Sequence, residues 1–303
     1  MSAAQLEAVI DEVQAVFGAW TPETTLPQMR RDWDEIFSRS PVDNGASAES
    51  ITLGGVPALR LSAPGAAADR AVLYLHGGGY VFGSPRSHAD IGKLLSQEAL
   101  AQVFVLDYRL APEHPFPAAV DDAIAAYRVL LAEGFAPSRI AISGDSAGGG
   151  LSLATLIAIR DGGLPRPACA VPLSPWADMA CDGDSYVSRA AVDPIVQQGM
   201  IRQLAAMYVG DADPLQPLAS PMRGDLSGLP PLLIQVGDRE TLLDDSRRVA
   251  ERARQAGVDV RLEIEPGQVH VYQIFANRLD EGMAAIERMG AFIRENTGGQ
   301  VPA

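Results

Sequence analysis

Cysteine is scarce in this chain: Cys169 and Cys181 are the only two among 303 residues. That is too few for a framework of disulfides, and Cys169, set in an apolar run, reads as a small core residue. Long apolar runs are missing as well. They reach only about seven residues before a glycine, proline or charge interrupts them, well short of the about 20 needed to cross a bilayer. Positive charge is in deficit, with 24 Lys and Arg against 38 Asp and Glu and a net charge of −14. Nucleic-acid binding, which depends on clustered basic residues, is therefore disfavoured. The pairs Arg30-Arg31 and Arg247-Arg248 sit among acids and read as solvated helix faces. There is no basic and apolar leader at the start, so a cytoplasmic protein is expected. No Walker loop or dinucleotide fingerprint occurs, and the four histidines show no metal-ligand spacing with other donors. No cofactor is expected.

Glycine is plentiful, at 29 residues, and its placement carries the signal. The short apolar run Ile140-Ala141-Ile142-Ser143 leads into Gly144-Asp145-Ser146-Ala147-Gly148-Gly149. A strand that turns into a helix around a glycine-bracketed serine is a nucleophile elbow, which pushes the hydroxyl out at the carboxyl edge of a sheet. A serine hydroxyl is a weak nucleophile, however, and needs a base, an orienting acid and donors for developing negative charge.

Those partners are sought in the order serine, acid, histidine. Upstream, His76-Gly77-Gly78-Gly79-Tyr80 follows an apolar strand, and the amides of Gly78 and Gly79 could join that of Ala147 around an oxyanion. His270 is the one histidine placed after the serine on a loop before the last helix, which makes it the candidate base. His76 reads as structural, while His88 and His114 are expected on a surface helix or loop. For the acid, Asp238, Glu240, Asp244 and Asp245 crowd together after the strand at 232–236.

Periodicity organises the rest. Helices are expected over 6–17 and 25–39, and a hairpin over 50–61 around Gly54-Gly55. Strands are expected at 71–75, 103–106, 139–143, 168–173, 232–236 and 258–264. Helices alternate with them at 86–100, 117–133, 147–161, 242–256 and 272–296. That order implies a mostly parallel sheet covered on both faces. The stretch 176–228, with a helical piece near 193–208, is too long for an ordinary crossover and reads as a cap. The last residues, 298–303, read as frayed.

Taken together, His76-Gly77-Gly78-Gly79, Tyr108-Arg109-Leu110-Ala111-Pro112-Glu113, Gly144-Asp145-Ser146-Ala147-Gly148-Gly149 and Leu173-Ser174-Pro175-Trp176 resemble the bacterial hormone-sensitive-lipase-like esterases, over about residues 70–295. The resemblance implies an α/β-hydrolase fold with a mostly parallel eight-stranded sheet and a helical cap. Cap helices would occupy 1–45, and the catalytic domain 46–303 would carry a cap insertion at about 177–222. It implies a serine carboxylesterase acting on short-chain acyl esters, with lactones or acetylated small molecules as alternatives. The family's acid motif falls on Glu240-Thr241-Leu242-Leu243-Asp244-Asp245, which puts Glu240 where Asp is commoner. Asp238 and Asp244 remain open as the acid, and Asp244 and Asp245 also suit the start of the following helix. Tyr80, Phe82, Trp176 and Met207 are candidates for the acyl or alcohol pocket, with plain core packing as the alternative. Tyr108 to Glu113 would brace the glycine loop, with Arg109 and Glu113 paired, and Asp145 would do the same in the elbow. Relatives dimerise through the last strand and last helix, so a homodimer is expected. Receptors on this fold keep the serine but lose the histidine, so the presence of His270 argues for an enzyme.

Overall fold

In a computed structural model that describes residues 2–298, two amphipathic helices come first, α1 (Ser2–Phe17) and α2 (Leu26–Phe37). Thr25 caps α2 by accepting a hydrogen bond from the Gln28 amide. Then follow β1 (Ser47–Leu53), β2 (Val56–Ser62), β3 (Ala67–Leu75), α3 (Ala89–Ala99), β4 (Ala101–Leu106), α4 (Ala118–Ala132), β5 (Ile140–Asp145), α5 (Ala147–Asp161) and β6 (Cys169–Leu173). A long irregular stretch holds α6 (Ser185–Ser188) and α7 (Gln198–Val209). The chain closes with β7 (Leu232–Gly237), α8 (Leu243–Gln255), β8 (Val260–Glu265) and α9 (Asp280–Asn296). Met1 and residues 299–303, the latter part of the stretch read as frayed, lie outside the described residues.

The eight strands form one sheet in the order β1-β2-β4-β3-β5-β6-β7-β8. β1, β2 and β4 pair antiparallel and all other pairs are parallel. β5, β6 and β7 are buried along their whole length, as expected for parallel strands covered on both faces. Their apolar runs are continuous for the same reason. One face is covered by α4, α5 and α8, the other by α3 and α9. β8 lies at the edge and is only half-buried. No helix among the described residues is long and apolar enough to cross a membrane.

The helix expected over 272–296 is broken. Tyr272–Phe275 forms a short 3-10 turn, Leu279 is extended, and α9 begins at Asp280. The two pieces pack closely at Gly282, where a Cβ would come within 2.9 Å of the Tyr272 carbonyl and 3.0 Å of the Ala276 Cα. The turn therefore folds back onto the start of α9, whereas a straight helix would carry it away. Leu6, Val9 and Val13 of α1 and Ile36 of α2 pack against Val269, Tyr272, Phe275 and Leu279. The first two helices thus rest on the segment that carries His270.

Candidate active site

β3, β5, β6 and β7 all end at one edge of the sheet, and the loops that follow them meet there. A ligand of an open α/β sheet is expected at that edge. The turn from β5 into α5 is a single residue, Ser146, at φ 53° and ψ −117°. This backbone is strained for a residue with a Cβ. It is held by the Ser146 amide donating to the Leu173 carbonyl at 2.8 Å and by the Trp176 amide donating to the Ser146 carbonyl at 2.9 Å. The bracketing glycines are required by close approach. A Cβ on Gly148 would lie 1.9 Å from the Leu75 carbonyl, and one on Gly144 would lie 2.4 Å from the same atom.

Ser146 Oγ lies 2.9 Å from His270 Nε2, and His270 Nδ1 lies 2.7 Å from Glu240 Oε2. Glu240 is fully buried. Its second oxygen accepts from Ser174 Oγ at 2.7 Å and from the Gly237 amide at 2.5 Å. Burial pushes the Glu240 carboxyl above its ordinary value, against the pull of His270. On His270 burial acts downward, but the Glu240 charge outweighs it and leaves the imidazole above its ordinary value. The other acids that crowd this stretch point elsewhere. Asp238 accepts from the Gly267 amide, Asp244 from Ser185, and Asp245 from the amides of Ala177 and Asp178.

Gly78 and Gly79 line the same cavity as Ser146 and His270, both with left-handed backbone, φ 117° and 61°. Among the described hydrogen bonds, none uses the amides of Gly78, Gly79 or Ala147, so three donors stay unengaged beside the serine. The glycine loop is braced from below, where Tyr108 Oη donates to the His76 carbonyl at 2.7 Å and stacks on the His76 ring.

The cavity encloses about 70 Å³ and is almost wholly apolar. Phe17, Trp20, Trp33, Phe37, Phe82 and Phe275 form an aromatic side, and Ile195, Val196, Ile201 and Leu204 an aliphatic one, with Trp176 lining it beside Ser146. Of the four pocket candidates named from sequence, Phe82 and Trp176 line it. Tyr80 does not: it is buried beneath the loop, its ring stacked on Tyr208 at 3.6 Å. Met207 is also outside, 42% exposed. It stands two turns of α7 beyond Met200, about 10 Å along the axis. Phe17, Trp20, Trp33 and Phe37, from the stretch expected as cap helices, line it too, though none of them is among the candidates named from sequence. Their signal was the spacing of Trp33 and Phe37 four apart on a helix face.

Three expectations about polar residues are corrected. Arg109 pairs with Asp122 of α4 at 2.7 Å, and Glu113 pairs with Arg30 of α2, also at 2.7 Å. The Arg109 backbone amide is already docked on the same Asp122 carboxylate, which holds its side chain away from Glu113. Arg30 is accordingly no solvated helix residue, and Arg248 likewise reaches Asp182. His88 is fully buried, its ring beside those of Tyr74 and His76 and its Nε2 3.4 Å from Asp145 Oδ2.

A family model described as the alpha/beta hydrolase fold matches residues 72–274. A solved structure of an esterase from the bacterial hormone-sensitive lipase family is 48% identical and superposes with a TM-score of 0.95, covering 97% of this chain and 99% of that one. This chain belongs to that family. The esterase is 51% identical over 229 residues to an acetyl-hydrolase of Streptomyces hygroscopicus, covering 76% of this chain and 77% of the relative. To the carboxylesterase NlhH of Mycobacterium tuberculosis it is 34% identical over 284 residues, covering 88% and 85%. It is thus an ester-hydrolysing enzyme on the α/β-hydrolase fold.

Proposed function

We propose that the enzyme hydrolyses short-chain carboxylic esters of small molecules through an acyl-enzyme on Ser146. The observation that carries this reading is the unbroken run of contacts from Ser146 Oγ through His270 to Glu240 at the floor of a small apolar cavity. Neutral His270 takes the serine proton on Nε2 as Oγ attacks the ester carbonyl. Glu240 accepts a hydrogen bond from Nδ1–H, whose proton stays on the ring, and steadies the imidazolium that forms. The amides of Gly78, Gly79 and Ala147 receive the oxyanion. His270 then returns its proton to the departing alcohol, and water repeats the cycle on the acyl group.

The size of the cavity supports a small acyl group. About 150 Å³ of dry apolar cavity holds a benzene ring, twice what is enclosed here. Acetyl esters, including those of a specific small molecule, fall inside this reading, and the relative named an acetyl-hydrolase supports them. Lactones are open to the same attack. Residues 1–45 and about 177–222 act as a cap in this reading, since both supply cavity walls. Two copies pair through β8 and α9, which light scattering at micromolar concentration tests. For the nucleophile, Ser146→Ala should abolish hydrolysis of p-nitrophenyl acetate while circular dichroism stays unchanged; retained turnover would refute the assignment.

A further inference from the structure

Thr241, the residue after Glu240, has every polar group bound by the stretch between β6 and β7. Its amide donates to Asp193 Oδ2 at 2.8 Å. Its hydroxyl lies 3.1 Å from the same oxygen and 3.3 Å from the Val196 carbonyl. Its own carbonyl accepts from Ser185 Oγ at 2.6 Å. Asp193 and Ser185 are 48 and 56 residues away in the chain, so these contacts join two separate segments and are not part of a local turn.

Asp193 is buried, and its Oδ1 accepts from the amides of Ile195 and Val196, each at 2.9 Å. Those two residues line the cavity that holds Ser146 and His270. One carboxylate thus grips a cavity wall with one oxygen and the neighbour of Glu240 with the other. Three of its four partners are backbone amides, which can only donate. The position therefore calls for a side chain that accepts at both ends. Asparagine fails there, because its NH2 would meet an N–H whichever way it turned. Asp193 also bears on the histidine. Burial acts downward on His270, while the carboxylates of Glu240, Asp193 and Asp145 act upward and prevail. Asp145 is engaged by Tyr74 Oη and the Gly77 amide, and the Arg239 guanidinium is turned to the Val192 carbonyl at 3.2 Å.

We propose that Asp193 is a positioning residue for Glu240: it ties the Ile195–Val196 wall of the cavity to Thr241, so that the acid is aligned on His270 only when that wall is in place. The inference rests on the reading of Ser146, His270 and Glu240 given above. Cavity shape and acid alignment then vary together, because one side chain holds both.

Amide hydrogen exchange of the wild-type enzyme, followed by NMR, tests the clamp without any variant having to fold. The protection factors of the Ile195, Val196 and Thr241 amides should agree within about threefold, since one opening releases all three. Ile195 and Val196 protected about 10²-fold less than Thr241 would overturn the proposal, because the wall would then open without the acid loop. Kinetics test the positioning. Asp193→Asn should lower kcat for p-nitrophenyl acetate by about 10–10²-fold, the scale of a small misplacement at the reacting centre, with KM changed by less than about threefold. The acid limb of its kcat/KM profile should move to lower pH, since a charge that favours protonated His270 is gone. In a Glu240→Ala background the same substitution should cost less than about twofold, because a residue that acts through Glu240 has nothing left to position. Equal losses in the two backgrounds, or an acid limb that stays put, would refute the role. If Ser146→Ala and Glu240→Ala are inactive while Asp193→Asn keeps normal kcat, this inference fails and the reading of the site stands. An active Ser146→Ala or Glu240→Ala would instead sink that underlying reading.

Discussion

Arg30 donates from Nε to the carbonyl of Val81 at 2.8 Å, which ties the second helix to the loop that carries Gly78 and Gly79. The same guanidinium reaches the Ala111 carbonyl and Glu113. A side chain from the first tenth of the chain thus fastens the far side of the glycine loop.

Replacing Arg30 by Ala should therefore affect both stability and turnover. Hydrogen bonds to a charged group contribute about 1.5–3 kcal/mol, and the half-exposed pairing with Glu113 adds little. The expected loss is about 2 kcal/mol by urea unfolding, with kcat/KM reduced several-fold. Unchanged unfolding and kinetics would show that the helix docks without this contact.

The acid can be separated from its neighbours by substitution. Glu240→Ala should reduce kcat by about 10³–10⁴-fold, the scale seen when the orienting acid of a serine triad is lost. Asp238→Ala, which removes only the contact with the Gly267 amide, should stay within about threefold of wild type. Steady-state kinetics on p-nitrophenyl acetate decides between them; the reverse ranking would move the role to Asp238.

Activity should depend on pH with a defined sign. In the proposed mechanism His270 works as a base only when neutral, and the Glu240 charge holds it above its ordinary value against burial. Activity is thus present above that raised value and is lost as pH falls through it. In Glu240→Gln the charge is gone and burial prevails, so the midpoint of the kcat/KM profile should move to lower pH while its plateau drops. A midpoint that stays put would mean another group governs the acid limb.

Acyl-chain preference should follow Leu204. A Cβ on Gly79 would lie 2.5 Å from Leu204 Cδ1, so this side chain closes the cavity directly over the oxyanion loop. Leu204→Ala should raise kcat/KM for hexanoate relative to acetate esters by about tenfold, the scale of one or two methylenes in an apolar pocket. Met207→Ala, on the exposed face of α7, should leave the ratio unchanged. An equal response from both variants would refute this lining.

Local sequence carried the elbow and the glycine loop because each demands a particular residue type from its backbone. Only glycine fits at 144 and 148, where a Cβ would strike the Leu75 carbonyl. The mostly parallel, doubly covered sheet was legible for a similar reason, since a run such as Leu232–Gly237 is buried along its whole length only when both faces are covered. The break before α9 was not legible, because the turn at Tyr272–Phe275 packs back on Gly282, a contact made only in three dimensions.

By itself, then, the sequence determined where the glycine-bracketed serine sits, that a histidine follows it, and that a glycine loop precedes it. Those are properties of short segments and their order. Tertiary structure decided which of four clustered carboxylates meets His270, that Tyr80 and Met207 stay out of the cavity, and that Arg30 and His88 are structural partners of the loop. Each of these depends on side-chain direction and on contacts across long stretches of chain, 124 residues from Ser146 to His270 and 83 from Arg30 to Glu113. Spacing along a chain does not encode such directions, and packing in three dimensions sets them.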